Sequence, residues 1–159
     1  MRRGEFSTPE VFNRKLSFRY AVLEKLEAGI VLQGTEVKSF RAGQAQIAEA
    51  HVRLNRAGEV ILINAHINAY SHGTDANHDP TRPRKLLLHR KEIVRLRAAQ
   101  EREGMALIPA RLYLDHGLVK VTVAICRGKK LQDKRQDLRR ATELREAQRE
   151  LSDRRRGKM

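Results

Sequence analysis

Residues able to do chemistry fall in few places along the chain. His72, Asp75, His78 and Asp79 crowd one polar stretch, residues 71–83, and are of the types that ligate metals. Their spacing matches no ligand pattern of known geometry and no cysteine stands near, so polar side chains in a loop are the default and no metal is expected. His51, His66, His89 and His116 are scattered over a hairpin, a strand, a helix start and a turn. Cys126, the single cysteine, excludes an internal disulfide and suits a reducing compartment. The basic run after it would favour a thiolate, though a small residue at a strand end is the plainer reading. Gly128-Lys129-Lys130 lacks the upstream glycine and the following Ser or Thr of a phosphate loop. Carboxylates are spread among bases, and nothing assembles a nucleophile, a base and an oxyanion donor. No catalytic residue and no cofactor are expected.

Basic residues say more. Lys and Arg number 33 against 19 Asp and Glu, giving a net charge of +14 and a pI near 10.7. That balance points to nucleic acid or another polyanion as partner. The cations cluster as Arg14/Lys15, Lys38/Arg41, Arg82/Arg84/Lys85, Lys120 and the C-terminal stretch, all compatible with phosphate contacts from one face of a body. Aromatic residues make up 4% and there is no Trp. Single strands are usually held on aromatic stacking platforms, so this chain leans toward a folded nucleic acid read by shape and backbone. No apolar run approaches the roughly 20 residues of a membrane span, and Met1-Arg2-Arg3-Gly4 has no apolar segment behind it.

The elements that must position these residues follow from periodicity. Residues 1–12 show none and read as a flexible lead-in. Residues 14–32 read as strand, with a bend or bulge at Glu27-Ala28-Gly29. A short helix starts near Thr35, a capping residue, with Glu36 in its first turn, Val37 and Phe40 on one face, and Gly43 at its end. A hairpin turns at Arg56-Ala57-Gly58-Glu59. A second helix runs from Leu87 or Arg90 to about Glu103, with Ile93, Val94 and Leu96 inward and Gly104 stopping it. A last hairpin turns at Asp115-His116-Gly117, and alternation in its second strand puts Val119, Val121, Val123 and Ile125 inward and Lys120 on the outer face. Without βαβ alternation, this order implies a mainly β fold: a small closed antiparallel barrel with two to three flanking helices. The body spans residues 13–126.

Residues 127–159 form the tail. They hold 13 Lys or Arg and six Asp or Glu, a net +7 and half of the chain's +14. Leu131, Leu138, Leu144 and Leu151 make a stripe too thin to bury a helix against a core. Such a segment is disordered alone and helical when something holds it.

Three stretches carry a resemblance. They are Glu27-Ala28-Gly29-Ile30-Val31-Leu32-Gln33-Gly34-Thr35-Glu36-Val37-Lys38-Ser39 with Arg41-Ala42-Gly43, then Asp79-Pro80-Thr81-Arg82-Pro83-Arg84-Lys85-Leu86-Leu87-Leu88-His89, and Gly128-Lys129-Lys130 with Asp133-Lys134-Arg135. Together they resemble the small protein B family of bacterial tmRNA-binding (SsrA-binding) proteins, from about Asn13 to Arg135. The resemblance implies an oligonucleotide-binding-type barrel docked on the tRNA-like domain of tmRNA. It implies delivery of alanyl-tmRNA to stalled ribosomes for trans-translation, in the cytoplasm, by a monomer. The partners it implies are tmRNA and the small-subunit decoding centre and mRNA channel. RNA-contact positions fall on Glu27, Leu87 and Lys120, beside the basic candidates Lys38, Arg41, Arg82, Arg84 and Lys85. The ribosome-binding tail motif falls on Gly128, Lys129, Lys130, Gln132, Asp133, Lys134 and Arg135.

The chain departs from the family pattern twice. Leu16-Ser17-Phe18-Arg19-Tyr20 stands where relatives often carry a His and an acidic residue, and Gln132 where they often have His or an aromatic. Two other function classes fit the charge: a general ribosome-associated assembly or stress factor, and an RNA-processing enzyme using the His72–Asp79 loop. The second is disfavoured by the missing catalytic set.

Overall fold

The computed structural model describes residues 9–73, 77–129 and 131–157. The chain divides into two compact units, Met1–Gly128 and Lys129–Met159. In order, the first contains β1 (Glu10–Phe12), α1 (Leu16–Arg19), β2 (Tyr20–Ile30), α2 (Gly34–Arg41), β3 (Ala45–Gln46), β4 (His51–Leu54), β5 (Val60–Ile63), β6 (His66–Ile67), β7 (Arg84–Leu87), α3 (Arg90–Glu101), β8 (Met105–Asp115) and β9 (Leu118–Gly128). The second contains α4 (Leu131–Arg156). No helix among the described residues is long and apolar enough to cross a membrane.

Seven strands form one antiparallel sheet in the order β1-β8-β9-β2-β7-β5-β4, and β3 pairs with β6 separately. The β8–β9 hairpin turns on His116 and Gly117 at φ 48° and 79°, the left-handed pair that suits a tight turn between right-twisted strands. Along β9, Val119, Val121, Val123 and Ile125 enter the main core, as alternation predicts. Phe40 of α2 and Leu96 and Ala99 of α3 join them. Ala124 and Cys126 lie on the opposite face yet are buried, because Leu16 of α1 and Ile108 cover them. That burial pushes the Cys126 thiol up to about 11, so the reactive-thiolate reading is dropped.

The ladder among the described residues does not return from β4, so the expected barrel is present as a seven-stranded antiparallel sheet with flanking helices. β4 lies beside β8. Its edge is met by a side chain: Leu54 N–H donates to Gln100 Oε1 at 2.8 Å, and Gln100 Nε2 donates to Leu54 O at 3.4 Å.

Several local expectations change. Glu10–Phe12, placed in the lead-in, is a strand paired with β8, and Val11 packs on the core; residues 1–8 lie outside the described residues. Residues 16–19 are a helical turn rather than strand. The irregularity of β2 sits between Val22 and Glu24, while Glu27 to Gly29 keeps a regular register. α3 ends at Glu101, short of Gly104, and Val94 faces out, 63% exposed, because it is two positions from buried Leu96 on a helix of about 3.6 residues per turn.

Candidate nucleic-acid interface

β2, β7, β8 and β9 bring a row of side chains abreast on the sheet's outer face. Gly29 pairs with Leu87 on one side and with Lys120 on the other, and Lys120 pairs with Tyr113. Residues opposite one another, or two apart on a strand, share a face, so Glu27 joins the row. Gly29 contributes no side chain, and the row is open there as a cleft lined by Glu27, Gly29, Leu87, His89, Glu92 and Lys120. Leu87 is 55% exposed. Strand alternation explains it: Arg84 and Leu86 of β7 point inward, Lys85 and Leu87 outward.

The polar groups of this face are held from the side. Tyr113 O–H donates to Glu27 Oε1 at 2.5 Å, and Lys120 Nζ donates to Asp115 Oδ2 at 2.8 Å. Burial and the Glu27 carboxylate push the Tyr113 hydroxyl up to about 12, so Tyr113 stays a donor. The same bond to Asp115 raises the Lys120 ammonium, with Glu27 adding to it, and lowers the Asp115 carboxyl. The Arg111 guanidinium stacks 4.1 Å from the Tyr113 ring centroid and pairs with Glu10. Tyr113 and Asp115 were not singled out in the sequence. The hairpin turn at His116-Gly117 carried the signal, since it fixes Tyr113 opposite Lys120.

Other candidates lie elsewhere. Lys38 and Arg41 are exposed on α2, with Lys38 Nζ 5.5 Å from the Tyr70 ring centroid. Lys85 is exposed and pairs with Glu59 at 3.5 Å. Arg84 is fully buried and its phosphate role is withdrawn. Nε pairs with Glu36 Oε2, Nη1 donates to Ala65 O at 2.7 Å and Nη2 to Pro80 O at 3.0 Å. Arg82 is half-buried and pairs with the other oxygen of Glu36. Burial opposes ionisation of Glu36, but the Gln33 N–H bond and the two guanidiniums outweigh it and hold the carboxyl below its ordinary value. The same carboxylate closes a capping box on Gln33 at 3.0 Å. Thr35, the expected cap, bonds His78 Nδ1 at 2.8 Å instead, while His78 Nε2 lies 2.9 Å from Ile67 O. His78 is thereby committed to packing; Asp75 lies outside the described residues.

The second unit starts at Lys129, and α4 begins at Leu131, after the tail motif's lysine pair. Lys129 pairs with Asp137. Lys130 and the side chains of Gln132, Asp133 and Lys134 lie outside the described residues. Leu138, Leu144 and Leu151 are 54%, 65% and 60% exposed. Arg135, Arg145, Arg149 and Arg156 fall in one sector, about 80° wide at about 100° per residue, which they share with Leu138, Thr142 and Asp153, while the other arginines of α4 lie outside it.

A family model described as SmpB protein matches residues 10–153. The chain belongs to the SmpB family. It is 48% identical over 141 residues to an SsrA-binding protein of Oceanobacillus iheyensis, covering 89% of this chain and 91% of that one. It is 44% identical over 155 residues to an SsrA-binding protein of Syntrophomonas wolfei, covering 98% of each. A solved structure described as "tmRNA-SmpB: a journey to the center of the bacterial ribosome" matches with TM-score 0.68 and 42% identity, covering 84% of this chain and 96% of that chain. The unity of Glu27, Leu87 and Lys120 in one cleft is thus found within an SmpB-family fold.

Proposed function

We propose that the protein binds the tRNA-like domain of tmRNA and brings alanyl-tmRNA to stalled ribosomes for trans-translation, in the cytoplasm and as a monomer with no catalysis of its own. The observation that carries this is the cleft: Glu27, Leu87 and Lys120, distant in sequence, meet around Gly29 in a chain of the SmpB family. The sheet acts as an oligonucleotide-binding-type barrel in which β4 lies beside β8 without ladder bonds among the described residues. Lys38, Arg41, Lys85 and the partly exposed Arg82 supply phosphate contacts around it. Residues 13–126 hold tmRNA, and residues 127–159 enter the small-subunit mRNA channel, with Gly128 to Arg135 as the docking motif and the arginines of α4 against ribosomal RNA phosphates.

The division of labour is testable by removing Leu131–Met159. Gel-shift affinity for tmRNA stays within about twofold, while tagging of stalled chains in reconstituted translation disappears. Equal loss of affinity and tagging overturns the division. Equal competition by tmRNA and a bulk RNA of the same length would favour a general basic RNA-binding factor instead.

A further inference from the structure

The cleft's charge runs against the rest of the molecule. Two carboxylates, Glu27 and Glu92, face one ammonium, Lys120, in a chain of net charge +14. A phosphate placed there meets net repulsion, so the cleft is built for hydrogen-bond donors. Its shape points the same way. Gly29 leaves the middle of the row without a side chain, and the exposed face of Leu87 stands beside it, with Leu87 Cβ 3.5 Å from where a Gly29 Cβ would be. That is an apolar wall beside an open slot, suited to a planar ring.

We propose that the cleft holds one unstacked guanine base of the bound RNA, read on its Watson–Crick edge by Glu27 and Lys120. The proposal rests on the reading of this cleft as an RNA site. Guanine is the standard base that offers two adjacent donors, N1–H and N2–H, to one carboxylate, with the O6 acceptor next to them for an ammonium. Adenine and cytosine each offer a single amino group, and uracil a single N–H between carbonyls. A ribose 2′-hydroxyl offers one donor and needs no slot. Tyr113 is a positioning residue: its hydroxyl ties Glu27 Oε1 at 2.5 Å and fixes the plane of the carboxylate. Asp115 does the same for Lys120 at 2.8 Å.

The test uses the full chain and transcripts of the tmRNA tRNA-like domain in which each unpaired guanine is replaced in turn by inosine, which lacks the N2 amino group. The expected result is one position where inosine weakens binding to the wild-type protein roughly fivefold or more. Glu27→Gln, weaker on the unmodified RNA, loses that sensitivity, and Tyr113→Phe reduces it. Melting curves check that the variants fold, which the exposure of Glu27 favours. If Glu27→Gln weakens binding but no inosine position is coupled to it, the guanine proposal is overturned and the RNA site stands. If Glu27→Gln binds every transcript as the wild type does, the site reading falls together with the proposal.

Discussion

Glu27 and Glu36 carry the same carboxylate, and both are gripped by neighbours, yet one is exposed on the sheet's outer face and the other is fully enclosed beneath α2. Glu36 spends its two oxygens on Arg82, Arg84 and the Gln33 N–H, so nothing is left for a ligand. It ties α2 to Arg82 and to Arg84, the first residue of β7. Glu27 accepts one hydroxyl bond from Tyr113 and keeps acceptor capacity toward the cleft. A charged network with every partner internal builds the frame; one with a side left open stays available to a partner. The two sites should therefore fail differently.

The largest effect is expected at the enclosed site. Glu36→Ala leaves Arg84 buried without its counter-charge and should cost about 3–5 kcal/mol of folding stability, read from denaturant midpoints. A loss near that of a surface substitution would break the contrast. Lys120→Ala should lower tmRNA affinity roughly tenfold, read by gel shift, while the melting temperature falls only slightly, since its partly exposed pair with Asp115 lies outside the core. A melting temperature that fell in step with affinity would make the cleft structural.

The enclosed site also titrates. The Glu36 carboxyl is held below its ordinary 4.5 in the folded state, so its contribution is fully present above pH 4.5 and is lost as pH falls through the lowered folded value. Urea unfolding between pH 6 and pH 3 should show stability falling below about pH 4.5, and Glu36→Gln should flatten that part of the curve. The smallest effect is expected at the exposed pair of Lys15 and Arg19 with Glu49, 2.9 and 3.3 Å apart. Glu49→Ala should leave both the melting temperature and tmRNA affinity unchanged, because solvent screens such pairs.

Much of this was legible in the residues. Alternation along residues 118–126 put Lys120 outward, and the turn at His116-Gly117 gave the register of the last hairpin. Helix placement at Gly34–Arg41 followed from the glycines and from Glu36 in the first turn. Other features were misread for identifiable reasons. Arg84 stands in a basic run and reads as surface. Only the inward parity of Leu86 marks it as buried, and only its folded partners make that burial affordable. Val94 was placed inward because it is apolar, although the helical period set by Leu96 turns it out. Thr35 lost its capping role to Gln33 because His78, far along the chain, competed for its hydroxyl.

By itself the sequence determined the mainly β class, the charge of the tail and the family, because period, charge and motif are local properties of the chain. The tertiary structure decided which cations are buried and which exposed, and that Glu36 is enclosed while Glu27 lies on the sheet's outer face. It also decided that Tyr113 and Asp115 hold Glu27 and Lys120 in place. Those outcomes depend on burial and on partners separated by many residues, and hydrogen bonds between strands, not neighbours in the chain, bring Glu27, Leu87 and Lys120 around Gly29.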